Sequence, residues 1–238
     1  MIKHFGSISI SPGKTGSYYY SKFFERHNIY ADYNPFKAID MQEVLNYLSN
    51  NQYSGFNISM PYKQQVVKYL NVRSQEVDLY NSCNTIKTVN GELKGFNTDI
   101  NGVLNIISSI FKNEYIIVLG NGAMGKTFVK VFEEFGMNYT VSSPSLNNWE
   151  FRHKKCDVLI NCTSLGTSLD ISPVQSVNAT RAVFDLAING SKLREMCKSV
   201  SYTSGLLFYK EVFLEQFFIH TGIRADPDYF DHLTNVIN

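Results

Sequence analysis

The stretch Tyr115-Ile-Ile-Val-Leu-Gly120-Asn-Gly-Ala-Met-Gly125-Lys-Thr127 decides the fold class. Residues 115–119 form an apolar, β-prone run of the kind a parallel sheet buries on both faces, and the run feeds straight into glycines at 120, 122 and 125. Read as Gly-x-Gly-x-x-Gly between a strand and a helix, the turn lets the backbone approach a pyrophosphate at the positive end of the helix. Read as Gly-x-x-x-x-Gly-Lys-Thr, the same residues satisfy the P-loop pattern, which cradles a nucleoside triphosphate and Mg²⁺. Ala182-Val-Phe-Asp185 would then serve as the strand and aspartate that hold the metal. Spacing alone leaves both readings open.

Further apolar runs at 139–142, 158–161 and 183–186 follow at separations suited to βαβ crossovers, so a doubly wound parallel sheet is expected here. Residues 206–220 read as one long helix ended by Gly222, and 227–236 as a short last helix. Upstream, strand-like and helix-like segments alternate. Strands are expected at 2–9, 30–34, 55–59 and 84–89, and helices at 18–27, 41–49 and 63–69. Asn90-Gly91 between two β-prone runs signals a type I′ hairpin whose second strand ends at Asn97. This half is α/β with a mixed sheet.

Two residues in that half carry chemistry. Pro61 ends the run Gly55-Phe-Asn-Ile-Ser where its missing N–H does no harm, so Lys63 is expected to open the next helix. Asn97-Thr-Asp99 precedes Ile100, Val103, Leu104 and Ile107, whose spacing is helical, so Asp99 stands at a helix N-terminus. A lysine just after a strand and a carboxylate just before a helix can meet in a cleft as a proton donor and its charged partner. An aspartate in that position is also an ordinary N-cap, which is the competing role.

Composition narrows the rest. The chain has 238 residues, 44% of them hydrophobic, enough for one large core or two small ones. Its 22 basic and 21 acidic residues nearly cancel without a long Lys/Arg run, so no nucleic-acid or membrane surface is expected and the partner is a small molecule. The first residues lack an apolar leader region and no stretch suits a membrane span, which places the protein in the cytoplasm. Cys83, Cys156, Cys162 and Cys197 are widely spaced and the histidines lack ligand-like spacing, so free thiols and no metal are expected.

With these residues assembled, the chain resembles the shikimate dehydrogenase family. The resemblance rests on Asn57-Ile-Ser-Met-Pro-Tyr-Lys63, Asn81-Ser-Cys-Asn84-Thr85, Gly95-Phe-Asn-Thr-Asp99, the glycine turn, Asp157-Val-Leu-Ile-Asn161-Cys-Thr163-Ser164-Leu-Gly166 and Gln216-Phe-Phe-Ile-His-Thr-Gly222. It implies a substrate domain at 1–99, a Rossmann-type dinucleotide domain at 100–204, and C-terminal helices at 205–238 returning to the substrate domain. It also implies reversible reduction of 3-dehydroshikimate, or a close ring analogue, with NADPH. By motif, Lys63 is the proton donor and Asp99 its partner. Asn84 and Asn97 hold ring hydroxyls, with Ser59 and Thr85 adding contacts. The dinucleotide lies against Gly120, Asn121, Gly122, Ala123, Met124, Gly125, Ser142, Ser143, Thr163, Ser164 and Gly205. A monomer or homodimer is expected. The other readings are a P-loop triphosphatase or kinase, and a dinucleotide-binding protein without turnover.

The chain departs from the family pattern at several places. The Ser-x-Ser pair that binds the substrate carboxylate has two candidates, Ser9-Ile-Ser11 and Thr15-Gly-Ser17, and Thr15 with Ser17 is preferred because the aromatic helix follows directly. After the strand at 139–141 the family's arginine-containing segment reads Ser142-Ser-Pro-Ser145, with no carboxylate either, which leans toward NADP without excluding NAD. Ile188 stands where the family presents a tyrosine, and Lys210 where it presents a glutamine, so Lys210 is expected in the substrate cleft.

Overall fold

The computed structural model describes residues 2–165, 171–188 and 192–237, which form two compact units: Met1–Asp99 with Val212–Asn238, and Ile100–Glu211.

The first unit is built on β1 (Lys3–Ser9), β2 (Ala31–Lys37), β3 (Tyr53–Ile58), β4 (Val72–Arg73), β5 (Thr85–Val89) and β6 (Glu92–Phe96). Their order across the sheet is β2-β1-β3-β5-β6-β4, with β1 parallel to β2 and β3, and β5 antiparallel to β3 and β6. The sheet is therefore mixed. Asn90 and Gly91 both take positive φ, 52° and 82°, as a type I′ turn requires. Pro35 lies within β2, an edge strand, where the missing N–H is tolerated. Helices α1 (Thr15–Arg26), α2 (Met41–Leu48) and α3 (Gln75–Tyr80) connect the strands. Asp40 caps α2 by accepting a hydrogen bond from the Glu43 N–H.

On α1, Tyr19, Tyr20, Phe23 and Phe24 share one buried face. Tyr20 stacks on Tyr33 at 4.0 Å and Tyr19 on Phe230 at 4.3 Å, while Phe23 meets Phe213 and Phe217 at 5.0 and 5.5 Å. Aromatic burial of this density, with each ring removing on the order of 150–250 Å² from water, holds the C-terminal helices to the first unit.

The second unit contains α4 (Asp99–Ile107) from its second residue on, then β7 (Tyr115–Leu119), α5 (Ala123–Phe135), β8 (Asn138–Ser142), β9 (Cys156–Asn161), β10 (Ala179–Asp185), α6 (Lys192–Met196) and β11 (Ser201–Ser204). Its sheet is wholly parallel in the order β11-β10-β9-β7-β8. Counted within the unit, the strands run 2-1-3-4-5, a doubly wound order whose direction reverses at β7 and β9. Ligands of such sheets bind outside the carboxyl ends at this reversal, where the turns after Leu119 and Asn161 lie. The chain then runs through α7 (Gly205–Thr221), whose residues from Val212 on belong to the first unit, and α8 (Pro227–Ile237). Among the described residues no helix is long and apolar enough to cross a membrane.

His220, near the end of α7, is buried in the first unit, and burial together with the nearby Lys87 ammonium pushes it from 6.5 down to about 3. The unfolded chain therefore takes up a proton below pH 6.5 that the folded chain refuses until about pH 3, so stability falls as pH drops through that window. Urea unfolding should show about 2 kcal/mol less stability from this residue at pH 5 than at pH 7.5. His220→Gln should abolish that part of the pH dependence; an unchanged slope would mean that His220 titrates normally.

Candidate active site

The topology of the first sheet brings three chain segments to one end. Asn57, near the end of β3, pairs across the sheet with Thr85 at the start of β5, which pairs in turn with Phe96 at the end of β6. Backbone bonds continue the register beyond the strands: Ile58 N–H to Asn84 O, Asn84 N–H to Phe96 O, and Cys83 N–H to Lys63 O at 2.8 Å. Lys63 lies in the turn after β3, two residues ahead of a 3₁₀ helix at Gln65–Tyr69, rather than opening an α-helix. Ser59 to Tyr62 form a tight turn, with Tyr62 N–H bonded to Ser59 O, and Lys63 continues it.

Lys63 Nζ donates to Asp99 Oδ2 at 2.6 Å, and Asn84 Nδ2 donates to Asp99 Oδ1 at 2.9 Å. The two side chains are only 16% and 5% exposed. Asp99 is thus engaged by side chains from other segments, beyond any role in starting α4. A buried ion pair is weak as a source of stability, because desolvation offsets most of the Coulombic gain. It fits better as a device that keeps an ammonium charged and aimed.

Asn84 is saturated within the protein. Its Oδ1 accepts from Thr98 N–H at 2.9 Å and from the Thr85 hydroxyl at 2.9 Å, while its Nδ2 serves Asp99 and Thr98 Oγ1. Asn97 is the reverse case. It is 4% exposed, yet neither its Oδ1 nor its Nδ2 has a partner. A buried amide left unpaired costs on the order of 1–3 kcal/mol, so a polar ligand is the natural complement of Asn97. Cys83 is a structural thiol, bonded to Thr85 O and pushed up to about 12 by burial.

The two candidate carboxylate pairs lie in different surroundings. Ser59 N–H bonds to Ile8 O and Ile10 N–H to Met60 O, so the Ser9–Ser11 segment runs alongside the turn that carries Lys63. Thr15 is exposed at the first position of α1. Ser17 lines a hollow of about 700 Å³ with Lys14, Tyr18, Asp32 and Tyr33, and none of Lys63, Asn84, Asn97 or Asp99 is in its walls. The Ser17 hydroxyl is buried without a hydrogen-bond partner.

In the second unit, the glycine turn separates its two readings. Helix α5 starts at Ala123, so Gly125, Lys126 and Thr127 lie inside a helix and not in a phosphate-cradling loop. Thr127 is buried with its hydroxyl donated to Ala123 O, Lys126 is exposed, and Asp185 accepts from Asn161 Nδ2, Ala187 N–H and Tyr202 OH. The P-loop reading therefore has no free hydroxyl at Thr127, and its aspartate is already engaged. The three glycines fit a dinucleotide instead. Gly120 has φ of +99°, and a Cβ on Gly125 would collide with Gly120 O, so both are required by the turn itself. A Cβ on Gly122 would meet nothing within 4 Å. No protein atom demands that glycine, and the backbone there is open to the approach of a ligand.

A family model described as the shikimate dehydrogenase substrate binding domain matches residues 7–86. A shikimate dehydrogenase (NADP(+)) of Pyrococcus abyssi is 27% identical over 236 residues, covering 88% of both chains, and one of Caldanaerobacter subterraneus is 27% identical over 209 residues, covering 74% of this chain and 75% of its own. Residues 7–86 thus match the substrate domain of shikimate dehydrogenases, and the chain is similar to those enzymes over most of its length. Among solved structures, it is similar to a chorismate mutase/shikimate 5-dehydrogenase fusion protein from Clostridium acetobutylicum, with TM-score 0.85, 24% identity and coverage of 100% of this chain and 97% of that one. A Thermus thermophilus shikimate 5-dehydrogenase in complex with NADP(H) and shikimate gives TM-score 0.81 at 20% identity, with 97% of each chain covered.

Within the shikimate dehydrogenase fold, several residues expected at the cofactor have other occupations. Ser142 is fully buried and its hydroxyl donates to Asn148 O and Trp149 O; Ser143 is buried and its hydroxyl is bonded to Ser145. Asn148 closes the turn, accepting from Ser143 N–H and donating to Val141 O. These hydrogen bonds shape the end of β8. Thr163 is likewise tied down, its N–H and hydroxyl both on Asn161 Oδ1. Gly205 is fixed by packing, since a Cβ there would collide with Leu186 O. Asn121, Ala123 and Met124 form the turn and first residues of α5, and Ser164 is exposed; Gly166 lies outside the described residues.

Lys210 and Ile188 are both half-buried in the second unit. The polar residues on the buried face of α7 come later, at Gln216 and His220. Gln216 is an uncharged amide among Phe213, Phe217 and His220 on one helical face, the signal in the sequence for a buried polar role. Among the described residues no group of His, Cys, Asp and Glu could hold a metal ion.

Proposed function

We propose that this protein is an NADP-dependent shikimate dehydrogenase that reversibly reduces 3-dehydroshikimate or a close ring analogue, with Lys63 as the proton donor. The observation that supports it most directly is the buried Lys63–Asp99 pair, organised by Asn84 and placed two residues from the unpaired amide of Asn97. Gly120, Gly122 and the first turn of α5 would hold the pyrophosphate of the dinucleotide, whose reduced nicotinamide would supply a hydride to the ring carbonyl carbon.

Negative charge then builds on the carbonyl oxygen. Lys63 Nζ stabilises that charge and transfers a proton to the oxygen, leaving a neutral amine; oxidation runs the same transfer backwards. Asp99 holds the ammonium in position, and its second oxygen is fixed by Asn84, so neither group must reorganise during the transfer. Asn97 takes a ring hydroxyl, while Ser9, Ser11 and Ser59 receive the ring carboxylate. Lys210 and Ile188 are kept as the positions at which a ring substituent differing from that of shikimate would be read. The reading takes the protein as a monomer or homodimer in the cytoplasm, whose reducing conditions suit its four free thiols.

Absorbance of the reduced nicotinamide, followed with shikimate and NADP or NAD, tests the activity. Cofactor binding without turnover on any ring substrate would leave only a binding protein. The carboxylate site has its own test: Ser11→Ala should raise KM for shikimate about tenfold, as loss of a hydrogen bond to a charged group does, with Thr15→Ala within about twofold of the parent. The opposite pattern would return the site to α1.

A further inference from the structure

We propose that Gln216 on α7 is a positioning residue for the Lys63–Asp99 pair, acting through Thr85 and Asn84 without touching the substrate; this rests on the dehydrogenase reading above. Gln216 is 6% exposed, its Nε2 lies 3.1 Å from Thr85 Oγ1, and its Oε1 lies 2.8 Å from Asn57 Nδ2. Beyond Asn57 the contacts continue to the Tyr33 hydroxyl at 2.8 Å and to His220 Nε2 at 2.8 Å.

The direction of every bond in this chain is dictated by one group that cannot turn. Thr98 N–H is a backbone donor, so the Asn84 atom facing it must be Oδ1, and Nδ2 is thereby aimed at Asp99. Thr85 then donates its only proton to Asn84 Oδ1 and must accept from its other neighbour, which makes the Gln216 atom facing it Nε2. Gln216 Oε1 consequently faces Asn57 Nδ2, Asn57 Oδ1 faces His220, and His220 carries its proton on Nε2. Burial keeps that imidazole neutral. Seven side chains, from His220 to Lys63, are thus locked into one pattern of donors and acceptors.

Removing Gln216 frees Thr85 to rotate its proton away from Asn84, and Asn84 then loses a bond that holds its amide against Asp99. Charged or titratable groups around the chain are Lys63, Asp99 and Cys83 at one end, and His220, Tyr20, Tyr33 and Lys87 at the other. None of those at the far end touches Asp99 in the described contacts, so a response at Asp99 travels through the amides.

The test uses the full chain with Gln216→Met, Thr85→Val and the double variant. Each single variant should lower kcat about tenfold with KM for shikimate and NADP within about threefold, and the double variant should lose no more than either single one. The side-chain amide resonances of Asn84, assigned by their loss in Asn84→Asp, should shift in Gln216→Met. Losses that multiply in the double variant, a kcat within twofold of the parent, or unmoved Asn84 amide signals would overturn the proposal. Should Gln216→Met fail to fold, Gln216→Glu keeps the bond from Asn57, loses the donations to Thr85 and to Asn84 O, and is read in the same way. A parent without shikimate turnover would sink the functional reading, while the Asn84 signals would still decide for or against the chain.

Discussion

Lys63→Ala is expected to lower kcat by about 10²–10⁴-fold, the usual contribution of a general acid, with KM for NADP nearly unchanged. The size follows from where the ammonium acts, since its charge and its proton matter most when the carbonyl oxygen is becoming an alkoxide. Removing it also leaves the Asp99 carboxylate buried with Asn84 as its remaining side-chain donor, so some stability is lost as well, up to about 3 kcal/mol. Lys63→Arg separates the two effects. A guanidinium keeps the ion pair with Asp99 but does not release a proton near neutral pH, so this variant should regain stability and stay as slow as the alanine variant within about tenfold. Steady-state rates and thermal unfolding on the three proteins decide the matter. A Lys63→Ala enzyme within threefold of the parent rate would remove Lys63 from proton transfer.

Gly122→Val is expected to abolish dinucleotide binding while the protein stays folded. The turn tolerates the change locally, because a Cβ at 122 meets no protein atom and the residue has φ of −77°, which any side chain adopts. Gly120 and Gly125 lack that tolerance, so substitutions there would confuse loss of fold with loss of binding. A valine at 122 projects into the space over the N-terminus of α5 that the pyrophosphate must enter, and a weakening of at least about 100-fold, near 2.7 kcal/mol, is expected. Calorimetry with NADP reads it directly. Unchanged affinity would move the cofactor away from this turn, and tight Mg·ATP binding by the parent would revive the triphosphatase reading.

The parts of this protein that could be read in the sequence are those whose meaning is local. An apolar five-residue strand followed by three glycines, an Asn-Gly hairpin and a Pro-terminated strand followed by lysine each carry their conformation within about ten residues, and the structure has all three. The strand β11 was missed because Ser-Tyr-Thr-Ser is short and polar, and β4 because two residues give no pattern. Gln216 acquires its role only by meeting Thr85, 131 positions earlier, and Asn57, 159 positions earlier. The Ser142 hydroxyl was expected at the cofactor, yet it donates to the backbone carbonyls of Asn148 and Trp149, six and seven residues on. A hydroxyl count at a strand end does not reveal which way the hydroxyls face.

The six-stranded sheet ends on β2 at one side and on the two-residue β4 at the other. Pro35 interrupts the row of donors that β2 would present to an incoming strand, and β4 is too short to template one. Both margins are therefore poor places for another polypeptide to dock by continuing the ladder. A chain with 44% hydrophobic residues and a net charge of only +1 has little electrostatic repulsion to keep its copies apart, so blunt margins are a safeguard against the open-ended association that leads to fibres.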